Sequence, residues 1–440
     1  MKIKKHLNFS NLRQQASEIF RGITDGRQKR KISISIHDAM MSGLACMYFQ
    51  DPSLLQFQKR LEEEQHENNL KTLFDIENIP KETQMREIID GVDSDHLKHI
   101  FKNYYLLLQR NKTLEPFQIF DGLYYFPIDG SEFFSSKEIS CSQCLTKEHK
   151  AGETTHSHAV LQGGIMHPDC SEIIPFMPEQ IANIDGSSKQ DCEMNAGKRL
   201  IKKLRQAFPK LGLIIGGDSL FSRQPIITDV LNHKMHYLFT AQPTDHTYMM
   251  EWLSAYPSLN SHEWIDDKGR IHHYEWMNQV PLRGGKDSIM VNYLRCTLIG
   301  TNKKGKEETL YKNSWVTDIS ISSKNIHTLV KTGRCRWKVE NECFNTMKNQ
   351  GYAMEHNYGH GDKHLAFNFY LLTLVAFTMH QIAELTDKLY QACRKKCGSK
   401  KHLWETIRSY IKIIVFETWE TLLAFVLTPV AYRLLPLDSS

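Results

Sequence analysis

Long hydrophobic runs are scarce in this sequence, and the N-terminal stretch "MKIKKHLNFS" contains none. A secretory signal needs an apolar segment of about 7–15 residues behind its basic start, so we expect no export. The late stretches "FNFYLLTLVAF" and "LLAFVLTPVAYRLL" fall short of the roughly 20 apolar residues that cross a bilayer, and Pro429 interrupts the second. Both are predicted to be buried core helices, and no membrane partner is expected.

Cysteine is sparse too, with 10 residues in 440 at irregular spacing. Without a secretory signal, this usage favours reduced thiols in a cytoplasmic protein over a disulfide framework. Internal repeats and low-complexity tracts are lacking, and 41% hydrophobic and 24% charged residues are ordinary for a globular chain. Since single cores rarely grow beyond roughly 250–300 residues, the length predicts two or three compact domains.

Charge of one sign does not dominate the whole chain, whose net charge is +5, but residues 1–31 hold nine Lys or Arg against two acids. A local excess of this kind suits phosphate backbones. A solvated basic terminus without a specific partner is the alternative interpretation.

The chain changes character near residue 112. Residues 1–111 are predicted to be a small helical domain, because Pro52 stands at a helix start and Ile100, Phe101 and Tyr104 follow helical spacing. Beyond them, "FQIFDGLYYFPIDGSEFF", "SHAVLQGGIMH" and "EIIPFMPE" are strand-like, "DCEMNAGKRLIKKLRQAFP" is an amphipathic helix, and "LGLIIGG" is a buried strand. This order predicts a mixed α/β sheet with flanking helices.

Two acids follow the first and fourth of these strands. Asp129 ends "YFPID" and Asp218 follows "LIIGG", each with a glycine beside it. Ligands of open α/β sheets gather at strand ends, so we expect the two carboxylates to lie close together. Ordinary turn chemistry explains either acid taken alone.

A third acid, Glu340, lies in the stretch "RCRWKVENECFNTMKNQGYAMEHNYGHG", residues 334–361. On one helix, Arg336, Glu340 and Phe344 would share a face. A surface ion pair is the alternative for Arg336 and Glu340, but the large and amide side chains around them argue against a solvated face. Three carboxylates form a hard-oxygen site suited to Mg²⁺ or Mn²⁺, which in pairs support phosphoryl transfer.

The interval between the second and third acids is 340 − 218 = 122 residues, longer than one strand and helix require. It contains "EWIDDKGRIHHYEW", "SIMVNYLRCTLIGTNKKGKEETLY" and "NSWVTDISIS", which are predicted to form hairpins in a β-rich insertion. Its Trp264, Trp276 and Trp315 either stack on a base or fill a thin core.

The order Asp129, Asp218, Glu340, with the sequences "DG", "GGDSLFS" and "RWKVENECFNTMKNQGYAMEHNYGHG", resembles the DDE transposases of bacterial insertion sequences. The closest resemblance is to the branch with a β-rich insertion and a Tyr-x2-Arg-x3-Glu-x6-Lys signature, and it covers roughly residues 115–385. Arg336 matches the signature arginine. The tyrosine position falls on Gly333, and the lysine position falls on Met347, one residue before Lys348.

The resemblance implies an RNase H-like catalytic domain whose Asp129, Asp218 and Glu340 bind Mg²⁺ or Mn²⁺. It implies cleavage at transposon ends and strand transfer into target DNA by a homodimer in the bacterial cytoplasm, associated with the nucleoid. Arg336, Trp337, Asn341 and Lys348 are then candidate DNA contacts. The implied domains are a helical, end-binding domain (1–111), a divided catalytic domain (112–243 and 326–390), an insertion (244–325) and C-terminal helices (391–440).

The stretch "CSQCLTKEHKAGETTHSH" raises a separate metal hypothesis. A C-x2-C pair with downstream histidines has the spacing that tetrahedral Zn²⁺ accepts, and the candidate ligands are Cys141, Cys144, His156 and His158. Two other classes of function therefore stay open: a standalone or domesticated nuclease on the same fold, and a zinc-stabilised DNA-binding regulator without catalysis.

Overall fold

The computed structural model describes residues 6–28, 30, 32–62, 64–150, 152–183, 189–301 and 305–429. The chain divides into two compact units. The helical unit comprises Met1–Thr113 and Asn345–Ser440, and the mixed unit comprises Leu114–Phe344. The protein is thus of the mixed α/β class, with its described strands in one unit.

The helical unit is built from helices of both chain segments. The N-terminal segment supplies α1 Phe9–Arg21, α2 Ile36–Tyr48, α3 Leu54–Leu61, α4 Glu64–Phe74, α5 Glu82–Asp90 and α6 Lys98–Arg110. The C-terminal segment supplies α11 Asn345–Asn349, α12 Leu365–Thr386, α13 Lys388–Cys397, α14 Lys400–Ile411 and α15 Trp419–Leu427.

Helix α12 is the centre of this unit. It packs against α2 and α5, and its start is fixed by Asp90, whose carboxylate accepts the backbone N–H groups of His364 and Leu365. By length and composition α12 is apolar enough to cross a membrane, but its most apolar window is entirely buried. A helix that is hydrophobic on all sides is typical of a core, as the sequence predicted for this stretch.

Aromatic side chains from both segments explain why they fold together. The Phe9 ring stacks on Trp419 at 4.9 Å, and Tyr48 meets Trp404 edge-on at 5.5 Å. Such pairs contribute about 0.5–1.5 kcal/mol beyond the area they bury. Residues 326–390 are predicted from the sequence to belong to the catalytic domain, whereas the structure groups Asn345 onward with the N-terminal helices.

The mixed unit is a 12-stranded, mostly antiparallel sheet. Its strands are β1 Gln118–Phe120, β2 Leu123–Ser136, β3 Leu145–Glu148, β4 Thr154–Ile165, β5 Ile174–Pro175, β6 Glu179–Ile181, β7 Gly212–Gly217, β8 His236–Thr240, β9 Asn260–Ile265, β10 Ile271–Pro281, β11 Met290–Thr301 and β12 Glu307–Thr317. Its helices are α7 Glu193–Ala207, α8 Gln224–Asn232, α9 Thr247–Ser254 and α10 Ile326–Arg334.

The strand order is β3-β4-β2-β7-β8-β12-β11-β10-β9, with β1 beside β2 and with β5 and β6 beside β4. Strands β2, β7 and β8 are parallel neighbours, whereas β2 and β4 are antiparallel. Helix α7 makes the crossover to β7, and α8 makes the crossover to β8, as parallel pairing requires.

The residues predicted to form hairpins between Asp218 and Glu340 contain four antiparallel strands, β9 to β12. They continue the main sheet, because β12 pairs with β8. The insertion is therefore an extension of the sheet that carries the first two acids.

Candidate active site

Asp218 directly follows β7, as predicted, but Asp129 lies within β2, which runs on to Ser136, so the prediction that Asp129 follows the end of its strand is wrong. In the parallel pair β2 and β7, the last paired residues are Pro127 and Gly216, and each acid follows two residues later. Side chains at equivalent positions of parallel strands point to the same face. The two carboxylates therefore lie side by side, where β7 ends and β2 continues alone beside β4.

The environment of Asp129 disfavours its charged form. Burial raises the pKa of this carboxyl, the Arg336 guanidinium and the Gly130 N–H oppose the rise, and the negative charge of Asp218 adds to it. Gly130 N donates to Asp129 Oδ1 at 3.0 Å. Leu220 N donates to Asp218 Oδ1 at 2.9 Å, so backbone donors orient both carboxylates.

Arg336 reaches Asp129 from the C-terminal end of the mixed unit. Its Nη1 donates to Asp129 Oδ2 at 2.8 Å, and the two side chains are 25% and 22% exposed. The pair joins residues 207 positions apart in the chain. Arg336 supplies a cation beside a carboxylate that is otherwise next to another acid.

The expected α-helix with Arg336, Glu340 and Phe344 on one face is wrong. Helix α10 ends at Arg334, a π-helical turn spans Val339–Phe344, and α11 occupies only Asn345–Asn349. A π-helical turn bonds residues five apart, so side chains are displaced from their α-helical positions. The stripe inferred from four-residue spacing does not form on a continuous helix.

Glu340 is exposed on this π-helical turn. The turn packs against β2 and β4, and β2 is the strand of Asp129. Among the residues that the structure describes, no three carboxylates bring their oxygens as close together as ligands of a single ion. The structure therefore brings Arg336, but not a converged third carboxylate from this turn, to the aspartate pair.

The carboxylate that interacts with both aspartates is Glu193, which the sequence analysis missed. Burial raises the pKa of Glu193, and the charges of Asp129 and Asp218 raise it further. Glu193 is the first residue of α7, and a side chain at Gly130 would collide with its carboxylate. Acids are common at helix starts, where they interact favourably with the helix dipole. The position of Glu193 as the first residue of the crossover helix was therefore only weak evidence for a functional role.

The donor set of this site fits a hard divalent cation. Asp129, Asp218 and Glu193 are oxygen donors of the kind that Mg²⁺ and Mn²⁺ prefer. The raised pKa values of Asp129 and Glu193 reflect burial and mutual repulsion, and both costs fall when a cation is bound. Asp129, Asp218 and Glu193, with Glu340 on the adjoining turn, are the residues that would have to converge to hold an ion, because the oxygens of these described residues do not lie as close together as ligands of one ion.

The candidate DNA contacts lie in different settings. Trp337 is exposed, and Asn341 Nδ2 donates to the Trp337 carbonyl at 3.2 Å. Lys348 belongs to the helical unit, where it pairs with Glu355 at 2.8 Å. Lys338, which lies between Arg336 and Glu340, is buried, and its Nζ donates to the carbonyls of the turn at 167–170.

A pocket of about 410 Å³ in the mixed unit combines cationic and aromatic side chains. Trp264 lines it, 41% exposed, with its ring 4.5 Å from that of His327. Its cationic lining includes Lys331 and Arg334. By contrast Trp276 and Trp315 are buried, so of the three tryptophans on β9, β10 and β12 only Trp264 offers a ring to a ligand.

Glycine at position 333 has a local structural reason. A Cβ on Gly333 would lie 2.6 Å from Trp315 Nε1, and Trp315 is 1% exposed. The indole therefore occupies the space that a side chain at position 333 would need. Glycine is what allows α10 to approach β12 here.

The N-terminal arginines are partly engaged within the helical unit. Arg13 and Arg21 both pair with Asp75, at 3.5 and 2.8 Å, and Arg27 pairs with Asp25. Residues 1–5, 29 and 31 of the basic stretch lie outside the described residues. The described part of this stretch contributes α1 to the core.

The cysteine and histidine stretch folds around three of its predicted ligands. The Sγ atoms of Cys141 and Cys144 and the Nε2 atom of His158 lie within 3.8 Å of one another. His156 is directed elsewhere, with its Nδ1 3.5 Å from Thr146 Oγ1. The prediction of His156 as a fourth ligand is therefore wrong.

Comparison with protein-family models and with curated proteins finds no match for this chain. The fold and the site define a mixed α/β protein with two adjacent aspartates, a nearby glutamate and a paired arginine.

Proposed function

We propose that this protein is a DDE transposase that cleaves DNA at transposon ends and joins them to target DNA. The observation that carries the proposal is the set Asp129, Asp218 and Arg336. Each aspartate lies two residues beyond the last paired residues of the parallel strands β2 and β7, and Arg336, at the signature spacing from Glu340, contacts the first of them.

The proposal includes an RNase H-like core made of β2, β4, β7 and β8 with the crossover helix α7. Parallel β2 and β7 are what this core needs to hold two acids side by side, and the antiparallel partner β4 supports the far side of β2. Strands β9 to β12 would then correspond to the β-rich insertion of the resembling transposases.

In this proposal Asp129 and Asp218 hold Mg²⁺ or Mn²⁺ with Glu340 or Glu193 as the third carboxylate. Bound ions would supply activation of a water or 3′-hydroxyl nucleophile and stabilisation of the leaving oxygen. The protein's own groups would orient the carboxylates and balance their charge. Backbone N–H groups orient the aspartates, and Arg336 neutralises Asp129 before an ion arrives and is then available to a phosphate.

DNA is the proposed partner. We propose that the protein acts in the bacterial cytoplasm and binds both transposon ends as a homodimer. The pocket around Trp264 supports a DNA contact in the mixed unit, because aromatic rings stack on bases and Lys and Arg pair with phosphates. Trp337 and Asn341 adjoin the proposed catalytic arginine and are proposed to contact the DNA end.

The test uses the full chain, Mg²⁺ and a DNA duplex carrying the sequences that flank its own gene. We expect the wild type to cut and join this DNA, and we expect Asp129→Asn and Asp218→Asn to bind it without cutting, since each loses a ligand and no phosphate contact. Asp169→Asn is the matched control, because Asp169 is an exposed acid that pairs with Lys331. Normal cleavage by Asp129→Asn would exclude the proposed site.

The third carboxylate is decided by Glu193→Gln and Glu340→Gln in the same assay. The variant of the true ligand should lose cleavage, and the other should keep most of it. Cutting without joining would indicate a standalone nuclease. DNA binding by the wild type and by Asp129→Asn alike, with no cutting by either, would indicate a regulator.

A further inference from the structure

Three soft donor groups meet outside the carboxylate site. Cys141 and Cys144 lie in the turn before β3, where Cys144 N donates to the Cys141 carbonyl at 3.2 Å. This tight turn brings both thiols to one side. His158 comes from β4, opposite Phe134 of β2, and its imidazole lies beside the Phe133 and Phe134 rings.

The distances match the edges of a zinc tetrahedron. Zn–S bonds of about 2.3 Å and Zn–N bonds of about 2.0–2.1 Å at tetrahedral angles place two sulfurs about 3.8 Å apart and a sulfur and a nitrogen about 3.6 Å apart. The observed Sγ–Sγ distance is 3.8 Å, and the Sγ–Nε2 distances are 3.7 Å for Cys141 and 3.5 Å for Cys144.

A disulfide does not explain this arrangement. The two sulfurs are far beyond the bond length of about 2.05 Å, and both cysteines are free thiols. A redox pair would also not require an imidazole nitrogen equidistant from both sulfurs. Cys144 and His158 are buried, and Cys141 is partly exposed, which gives an ion access from one side.

We propose that Cys141, Cys144 and His158 bind a structural Zn²⁺ ion. Two thiolates and an imidazole form a donor set that selects zinc over Mg²⁺ or Mn²⁺, so the site is chemically distinct from the carboxylates. The three side chains fill three corners of the tetrahedron, and the fourth corner is left to another ligand. His156 lies two residues along β4, about 7 Å away at strand spacing, and is too far to serve.

The ion would fasten the turn before β3 onto β4. That strand also carries Gln162, which pairs in register with Asp129 and lies four residues beyond His158. Zinc would thus hold β4 in place beside β2 without contacting the carboxylates. Its removal should loosen the sheet next to the proposed catalytic strand.

The test measures metal content of the full chain purified without chelators or a histidine tag. We expect a stoichiometric amount of zinc in the wild type and at least a fivefold loss in Cys141→Ser, Cys144→Ser and His158→Ala. His156→Ala is the matched control, on the same strand, and should keep its zinc. Replacement by Co²⁺ should give the visible absorption bands of a tetrahedral thiolate site.

A second measurement covers variants that fail to fold. Alkylation of the wild type followed by peptide mapping should leave Cys141 and Cys144 unmodified until a chelator is added, whereas the exposed Cys192 reacts at once. Zinc retained by Cys144→Ser, or metal-free wild type that gives no tetrahedral Co²⁺ spectrum, would overturn the proposal. Neither readout depends on DNA cleavage, so this result and that of the transposase assay are independent.

Discussion

The ion pair between Arg336 and Asp129 should be coupled more strongly than an ordinary surface pair. We consider Arg336→Ala, Asp129→Asn and the double variant as a cycle. In the wild type, removing Arg336 leaves Asp129 facing the charges of Asp218 and Glu193 without a cation. In the Asp129→Asn background the same substitution removes little, because the repelling charge has already gone.

The magnitude follows from geometry and burial. Hydrogen bonds to charged groups contribute about 1.5–3 kcal/mol, and fully exposed pairs contribute about 0.2–1 kcal/mol. The contact is 2.8 Å long, and the two side chains are about a quarter exposed. We therefore expect a coupling free energy of about 1–2 kcal/mol, between the buried and exposed cases.

The measurement is urea unfolding at pH 7, followed by tryptophan fluorescence, since most of the tryptophans belong to the mixed unit. The matched control is the cycle for Lys331 and Asp169, a pair in the same unit at 2.7 Å whose side chains are 46% and 62% exposed. Its coupling should stay below about 1 kcal/mol and fall further with salt.

Two results would refute this reasoning. One is a coupling for Arg336 and Asp129 no larger than that of the control pair. The other is a coupling that disappears in moderate salt as the control does, because a partly buried pair is screened less than an exposed one. Either outcome would make Arg336 a surface partner of Asp129 rather than its main counter-charge.

The remaining predictions concern packing and pH. Gly333→Ala should lower the free energy of unfolding by about 1–2 kcal/mol. Overpacking against the buried Trp315 costs about 1–3 kcal/mol, which outweighs a helix-propensity gain of up to about 1 kcal/mol. Urea unfolding that shows a more stable variant would contradict this prediction. His236 Nδ1 donates to Asp318 Oδ2 at 2.7 Å, and this hydrogen bond raises the pKa of His236. His236→Gln should remove up to about 1 kcal/mol of stability, as for an exposed pair. This contribution should be fully present below about pH 6.5 and should shrink as pH rises through the raised pKa of His236. Thermal unfolding of both proteins from pH 5 to 9 measures the difference in stability, and a difference independent of pH would be inconsistent with the pair.

Local patterns in the sequence located the two aspartates of the site. In "YFPIDG" the buried run of β2 ends at Ile128, the residue before Asp129. In "LIIGGD" the strand β7 ends at Gly217, the residue before Asp218. Parallel pairing in register then places Asp129 beside Asp218. The C-x2-C turn was visible for a similar reason, because a tight turn fixes two thiols within three residues.

Long-range packing decided what the local patterns did not reveal. Glu193 becomes part of the acid cluster only because α7 starts against Gly130. His156 and His158 both follow the cysteine pair at a spacing that a zinc site accepts. Only His158 contacts the cysteine turn, whereas His156 contacts Thr146. The π-helical turn that separates Arg336 from a helical stripe is likewise invisible to a count of four-residue intervals.

The sequence by itself determined the helical character of residues 9–110, several strands of the sheet, though not β3 or β8, and the order in which Asp129, Asp218 and Arg336 appear, since hydrophobic periodicity and turn residues act over a few positions. Only the tertiary structure decided that residues from Asn345 onward join the N-terminal helices and that the inserted hairpins extend the main sheet. Contacts such as Phe9 with Trp419 depend on surfaces that meet across hundreds of residues, and no local pattern encodes which apolar faces will pair.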